Sequence, residues 1–488
     1  MGSFRIPRSP APLSLVLCLL LTGCLSSAGR VPDETVPNQQ SSQYWQKIAA
    51  GMPAINHAAP TTDWWTVFND PHLNALESGA NDNNPDILLA AARTEQSAAI
   101  SGMVASALYP QISVNGGESR AAISADSPSA RLGAPDSSHE SWHFGATASW
   151  ELDLWGHLHD LHTAAAEKVL ASQYGREMVR VSVSSEVARQ YILLREMQAR
   201  EQDLLADQQI AEKMLSIAQS RQRNGVATLN EPASANADIQ EISARLVALQ
   251  QQKNLLMNSL ALLSGLAPHQ LDTGLHTAPL PQIPTQIPTG VPSELARHRP
   301  DILQAEAELR SAIAGTQAAK ADFYPRIGLS AEAGYEAFSF SGLSGKNSRF
   351  YGIGPTLWLP IFEGGRLKSQ LALNQAQQKT AALNYRKTVL QAWHEIINAL
   401  DELNNQQQQH PMLVAAEQQN RIALQVAEES WQQGAGEFSA VLLAHRTLLQ
   451  SQLAVTQNNA AIELAMVTLY RSLGGGWQTT LPTPGAGS

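Results

Sequence analysis

The feature that most constrains this chain is that it is written twice. Ala107-Leu108-Tyr109-Pro110-Gln111-Ile112-Ser113-Val114 returns 215 residues later as Asp322-Phe323-Tyr324-Pro325-Arg326-Ile327-Gly328-Leu329. Leu152-Asp153-Leu154-Trp155-Gly156 is answered by Leu359-Pro360-Ile361-Phe362 with Gly364-Gly365. Leu262-Leu263-Ser264-Gly265 is answered by Tyr470-Arg471-Ser472-Leu473-Gly474. The offsets stay between about 207 and 215, so a fold made of two like units is expected.

The first unit is placed at 61–267 and the second at 298–476, with a short tail at 477–488. Between them, 268–297 carries Pro268, Pro279, Pro281, Pro284, Pro288 and Pro292, which excludes a continuous helix or a central strand. Each unit reads as an Ala-rich helix (88–106 and 302–321), two strands and two long helices. From Trp142 to Leu154 the chain alternates Trp142, Phe144, Ala146, Ala148, Trp150, Leu152 and Leu154 with His143, Gly145, Thr147, Ser149, Glu151 and Asp153. That period of two marks a strand with one apolar face. Strands are expected at about 108–118, 141–154, 325–335 and 350–361, the last carrying Ile353, Leu357, Leu359 and Ile361, with polar hairpin loops at 119–141 and 336–349.

Strands of about 9–11 residues suit a tilted membrane barrel, and one-sided alternation equally suits a soluble antiparallel sheet. Four strands close no useful membrane barrel, so the membrane reading requires several subunits to pool them.

Long helices are expected at about 157–222, 232–264, 365–432 and 438–472. Ile239, Ile242, Leu246, Leu249, Lys253, Leu256, Leu260 and Leu263 form a heptad seam with one polar member. Val441, His445, Leu448, Gln452, Val455, Asn459, Ile462, Met466 and Leu469 repeat it with more polar members. The turns between the long helices fall at Gly225–Leu229 and Gly434–Phe438, where glycines reverse the chain.

At the N-terminus Arg5 and Arg8 precede the short apolar run Leu13–Leu21, an export signal over 1–23 rather than a spanning helix. Leu21-Thr22-Gly23-Cys24 resembles a bacterial lipoprotein box, which implies acylation of Cys24 after cleavage. Leu25 in place of Asp argues, on that pattern, against retention in the inner membrane. The polar segment 24–60 reads as a tether. Cys18 leaves with the leader, so no intrachain disulfide is available. A net charge of −10, with 33 scattered basic residues, offers no nucleic-acid patch.

His157, His159 and His162 approach ligand spacing, but no accompanying zinc motif supports a metal site, and none is assigned. Nucleophile elbow, P-loop and dinucleotide fingerprint are all missing from the sequence, so neither catalysis nor a cofactor is expected.

Six stretches in order carry a family resemblance: Trp64–Leu73, Trp150–Gly156, Arg299–Glu306, Ala319–Pro325, Pro360–Arg366 and Tyr470–Trp477. The chain resembles the TolC-like outer-membrane efflux proteins, in particular the lipoprotein branch with OprM and CusC. The resemblance implies a mixed α and β fold: a homotrimer giving four strands per subunit to one 12-stranded barrel, continued by a long periplasmic helical barrel. It implies an efflux duct in the cell outer membrane, lipid-anchored and extending into the periplasm. The duct would take drugs or other small solutes from a periplasmic adaptor protein and a proton-driven inner-membrane pump. A type I protein-secretion exit and a non-conducting lipoprotein scaffold are the alternatives; the cargo is not written in the sequence.

Family pattern places the gate and adaptor contact at the two helix-to-helix turns: Arg221, Arg223, Gly225, Thr228 and Glu231 in the first, Trp431, Gly434, Gly436, Glu437, Ala440 and Leu443 in the second. Here the chain departs from its relatives. Val441-Leu442-Leu443-Ala444-His445-Arg446 stands where many carry Val-Leu-Asp-Ala-Gln-Arg, and Ala440 replaces a common acid. Glu231 or Glu437 is expected to supply the negative charge instead, paired with Arg221 or Arg223.

Overall fold

The computed structural model describes residues 55–56, 61–134, 137–272, 274–284, 287–288 and 299–475, all within one compact unit, Thr35–Ser488. The leader, Cys24, nearly all of the tether and the tail lie outside the described residues.

Helix α1 (Pro71–Asn83) starts on Asp70, whose carboxylate accepts the backbone N–H groups of His72 and Leu73 at 2.8 and 3.3 Å. Helix α2 (Pro85–Ser106) starts in the same way on Asn84. In both, proline occupies the first turn, where its missing N–H has no partner to lose. Strands β1 (Gln111–Ala121) and β2 (His139–Leu152) follow, then helices α3 (His157–Arg223) and α4 (Asn230–Leu263). The second unit repeats the order with α5 (Pro300–Ala321), β3 (Arg326–Ala337), β4 (Arg349–Trp358), α6 (Arg366–Gln432) and α7 (Phe438–Ser472). Ile55–Asn56 pairs in parallel with Ile287–Pro288, tying the segment before the first unit to the connector between the units.

Strand ends differ from the expected ones for local reasons. The first strand begins at Gln111 rather than 108, because the Leu108 and Tyr109 N–H groups close turns onto Ala105 and Ser106. The second ends at Leu152 because Asp153 leaves it to cap α3, accepting from the Leu158 and His159 N–H groups. The fourth ends at Trp358, before Pro360, so Leu359 and Ile361 belong to the junction and not to the strand. Gly156, and Gly364 with Gly365, hold φ of +78°, +59° and +90°. Those values turn strand into helix where a Cβ would be strained.

All four strands form one antiparallel sheet in the order β1-β2-β3-β4, with the two units meeting at the central pair β2–β3. Helices α3 and α6 each run 67 residues, about 100 Å at 1.5 Å per residue. Helix α6 continues through Pro411, which cannot donate to the carbonyl four residues earlier. Beside it, Asn458 of α7 donates to the Gln406 carbonyl at 3.2 Å and meets His410 Nδ1 at 3.1 Å. Asn458, rather than its seam neighbour Asn459, is the buried member. An α-helix of 3.6 residues per turn drifts off a strict heptad over this length.

The main core lies where α3, α6 and α7 cross beneath the segment Trp64–Phe68 and α1. Trp64 is 1% exposed and stacks on Tyr470 at 5.2 Å, with Val187, Tyr191, Ile192, Leu400 and Met466 around it. Fully buried Arg195 donates to the Tyr191 hydroxyl, Gln198 Oε1 and the His276 carbonyl, and Tyr191 donates to Asp70 at 2.6 Å. Buried charge of this kind is tolerated only when partnered.

Candidate functional site

Two places have chemistry to offer, the sheet and the paired helix turns. On the sheet, cross-strand register sorts the side chains cleanly. One face carries Ile112 and Val114 beside Ala148 and Ala146, then Ala331 and Ala333, then Ile353 and Tyr351. Ile112 is 75% exposed and Tyr351 86%. The opposite face carries Ser113, Thr147, Glu332 and Gly352 in one row, and Gly117, His143 and Glu336 in another. An apolar face bare to its surroundings and a polar face behind it are the two sides of a membrane barrel wall.

Among the described residues, both outer edges, β1 and β4, have no strand partner. An open sheet edge in lipid leaves a row of N–H and C=O groups unpaired, so this sheet is complete only when further strands join it. No helix among the described residues is long and apolar enough to cross a membrane.

At the helical end of the sheet, Trp150 Nε1 donates to the Leu108 carbonyl at 3.0 Å and Trp155 Nε1 to the Pro325 carbonyl at 2.7 Å. Trp155 also stacks on Tyr324 at 5.2 Å. Both indoles thus lock the strand-to-helix junction while keeping partly exposed rings, the placement favoured at a lipid–water boundary. His157 is engaged within the junction by the Ala318 carbonyl at 3.1 Å and Asp322 at 3.3 Å. Among the described residues no cluster of three or more metal-ligating side chains occurs.

The two turns are built alike. In the first, Gly225 (φ +73°) donates to the Gln222 carbonyl at 3.0 Å and Val226 to the Arg221 carbonyl at 2.9 Å. In the second, Gly434 (φ +75°) donates to the Trp431 carbonyl at 3.0 Å and Ala435 to the Ser430 carbonyl at 2.9 Å. Both are Schellman closures, which satisfy the last helical carbonyls and need a left-handed residue. Gly436 packs against Ser430 and Trp431, where a Cβ would come within 3.1 Å of the Ser430 side chain.

Between the turns, Arg221 lies over the Trp431 ring at 5.2 Å and approaches Glu231 at 3.6 Å, a charge contact longer than a hydrogen bond. Trp431 packs on Phe438 at 5.1 Å within a small apolar core that includes Met214, Ala235 and Val441. Of the expected charge pairs, Arg221 with Glu231 is brought together. Glu437 instead accepts from the Ser439 hydroxyl at 3.1 Å, and Arg223 reaches its own helix at the Gln219 carbonyl. Thr228 is exposed and gives its carbonyl to the Glu231 N–H, while Ala440 and Leu443 are exposed without any acid.

Two links between the helix pairs were not foreseen from the sequence. His445 Nε2 meets Asp207 of α3 at 3.0 Å with both side chains buried, and Arg446 pairs with Asp238 of α4. Polar residues facing the seam were the available signal: His445 sits on it, but its acidic partners lie on other helices. Together they line a 180 Å³ cleft with Glu241 and Arg245. Counting from Arg223, Asp207 lies about 24 Å up the helix.

Comparison with known proteins agrees with this architecture. The family described as outer membrane efflux protein matches twice, over residues 76–266 and 291–475. The pyoverdine export outer membrane protein OpmQ of Pseudomonas putida is 32% identical over 476 residues, covering 96% of this chain and 98% of OpmQ. The cation efflux system protein CusC of Escherichia coli is 28% identical over 486 residues, covering 96% and 98%. The solved outer-membrane channel OprN superposes with a TM-score of 0.85 at 27% identity, over 92% of this chain and 98% of that one. With its duplicated helix–strand unit and four-stranded, edge-open sheet, the chain belongs to the outer membrane efflux protein family.

Proposed function

We propose that three copies of this chain pool their strands into one 12-stranded barrel and their long helices into a continuous duct below it. The supporting observation is the sheet itself: apolar on one face, polar on the other, and unpaired at both edges. The duct carries solute out of the cell from a periplasmic adaptor and a proton-driven inner-membrane pump. Relatives of similar identity are named for pyoverdine export and for cation efflux, so cargo is assigned to the pump rather than to the duct wall.

Residues 1–23 are the proposed leader, acylated Cys24 the lipid anchor, 24–60 its tether, and 61–267 and 298–476 the two units of the wall. The anchor is secondary to the barrel. Cys24→Ala behind a conventional secretory leader is expected to yield exported trimers that still insert.

The mouth of the duct is assigned to the two turns, held by Arg221 on Glu231 and Trp431, with the His445–Asp207 and Arg446–Asp238 links behind. The decisive experiment is reconstitution of purified protein into planar bilayers after its mass in detergent is measured. Three chains per particle and discrete conductance steps are expected; a monomer, or a trimer that never conducts, would sink the reading. Glu231→Gln is expected to raise the open fraction, and Glu437→Gln, with no partner beyond Ser439, to leave it unchanged.

A further inference from the structure

The polar face of the sheet has an uneven charge. Toward the hairpin loops it carries Glu332 and Glu336 on β3, with His139 and His143 on β2. Among the residues of the four strands the only cation on that face is Arg326, at the helical end, and it is already committed to Asp322 at 2.6 Å and Glu151 at 4.0 Å. The other strand cations, Arg120 and Arg349, stand on the apolar face by register, opposite Glu140 and Tyr335.

Glycines shape the same wall. Gly145 and Gly334 face each other across β2–β3, and a Cβ on Gly334 would meet the Phe144 carbonyl oxygen at 2.5 Å. The Phe350 ring reaches this pair, with atoms 3.4 and 3.0 Å from where the two Cβ atoms would be. A Cβ on Gly352 would meet Glu332 Oε1 at 3.3 Å. Neither carboxylate has a cationic partner: Glu336 accepts from the Ser141 hydroxyl at 3.5 Å, and both are solvent-exposed.

We infer that Glu332 and Glu336 form two rings of fixed negative charge in the outer half of the barrel and make that segment a cation-preferring filter. The inference rests on the trimeric barrel proposed above. Twelve strands about 4.8 Å apart and tilted by about 40° give a backbone radius of about 12 Å. Side chains narrow the opening to a radius near one Debye length, about 8 Å at physiological salt and about 3 Å at 1 M. Six carboxylates on such a wall therefore reach the axis in dilute salt and not in concentrated salt. Four residues of tilted strand separate the rings by about 10 Å along the axis. The second turn, with Ala440 and Leu443, keeps one carboxylate without a cation, Glu437, against two on the barrel wall, so the larger fixed charge stands in the barrel.

The test is the reversal potential of the full-length reconstituted trimer under a KCl gradient. Wild type is compared with the Glu332→Gln/Glu336→Gln and Glu332→Lys/Glu336→Lys double variants. Each is also measured with Asp238→Asn added, which frees Arg446 so that the mouth does not dominate the current. Wild type should prefer K⁺ at 0.1 M and lose most of that preference at 1 M. The Gln pair should lower the permeability ratio by about sevenfold, the scale of a wall potential of about one kT acting in opposite senses on K⁺ and Cl⁻, and the Lys pair should invert it to favour Cl⁻. An open pore whose ratio is the same in all three proteins would overturn the filter and leave the duct standing. Absence of conductance from every trimer would overturn the duct, and the filter with it.

Discussion

The two long-helix pairs are matched in length and turn geometry but not in burial. In the first pair, α3 buries 21 of its 67 residues and α4 only 7 of 34. In the second the order reverses: α6 buries 9 of 67 and α7 buries 15 of 35. The difference is one of position. Helices α3 and α7 meet inside the chain, covered by the Trp64–Phe68 segment and α1, whereas α4 and α6 keep a face bare, with Val247 and Met412 each more than 70% exposed. Duplication supplied two equal hairpins; burial by the rest of the chain made one helix of each an interior helix and left the other with an exposed face.

The sharpest way to break this comparison is to cut the shared interior. Trp64→Ala removes the ring stacked on Tyr470 and should cost about 3–5 kcal/mol in denaturant unfolding of the detergent-solubilised protein. Met412→Ala on the bare face of α6 should stay within about 0.5 kcal/mol in the unassembled chain. A comparable loss at both would erase the distinction between interior and exposed helices.

A second test uses pH. Glu463 on α7 is 1% exposed with no hydrogen-bond partner on either carboxylate oxygen, and burial, with Asp70 nearby, pushes its pKa up to about 9. The folded value lies above the unfolded one. The stability this group contributes is therefore fully present below about pH 4.5 and is lost as pH rises through about 9. Glu463→Gln should therefore match wild type in Tm near pH 4 and exceed it increasingly towards pH 9. Parallel Tm curves would show that the interior of α7 is wetter than its packing indicates. Glu77 on α1 belongs to the same class, since burial holds its carboxyl well above the ordinary range.

The smallest effect sharpens the likeness rather than the difference. Gly225→Ala and Gly434→Ala each force a Cβ into a left-handed conformation with open space around it, so only backbone strain is felt. Each should cost about 1 kcal/mol, and the two costs should agree. Unequal costs, read from unfolding or from hydrogen exchange at the turns, would mean that the Trp431–Phe438 core holds one turn and not the other.

Much of this architecture can be read from local sequence because it is periodic. Alternation over Trp142–Leu152 and the seam through Ile242 and Leu249 each state which face is which, and Gly225 and Gly434 mark reversals by a backbone requirement no other residue meets as well. What could not be read is what depends on partners distant in the chain. Asp207 and His445 are 238 positions apart, and neither carries a mark of the other. Arg195 reads as an ordinary helical arginine until the His276 carbonyl and Tyr191 close around it. Even the shared Tyr-Pro motif misplaces a strand start, since its side-chain pattern begins before its ladder of hydrogen bonds does.

The sheet order has a consequence for symmetry. The two units meet in the middle, so the strand leaving one edge comes from the first unit and the strand at the other edge from the second. In a closed ring of three chains, β4 of one copy would meet β1 of the next, just as β2 meets β3 within the chain. The covalent seam, with its eleven aligned pairs from Trp142↔Ala337 to Leu152↔Ile327, is then a template for the noncovalent one. Such a barrel has six near-equivalent seams with three of them stitched by peptide, and the Pro-rich connector is the stitch. Evolution by this route leaves only half of the interfaces at risk when the subunits are dilute.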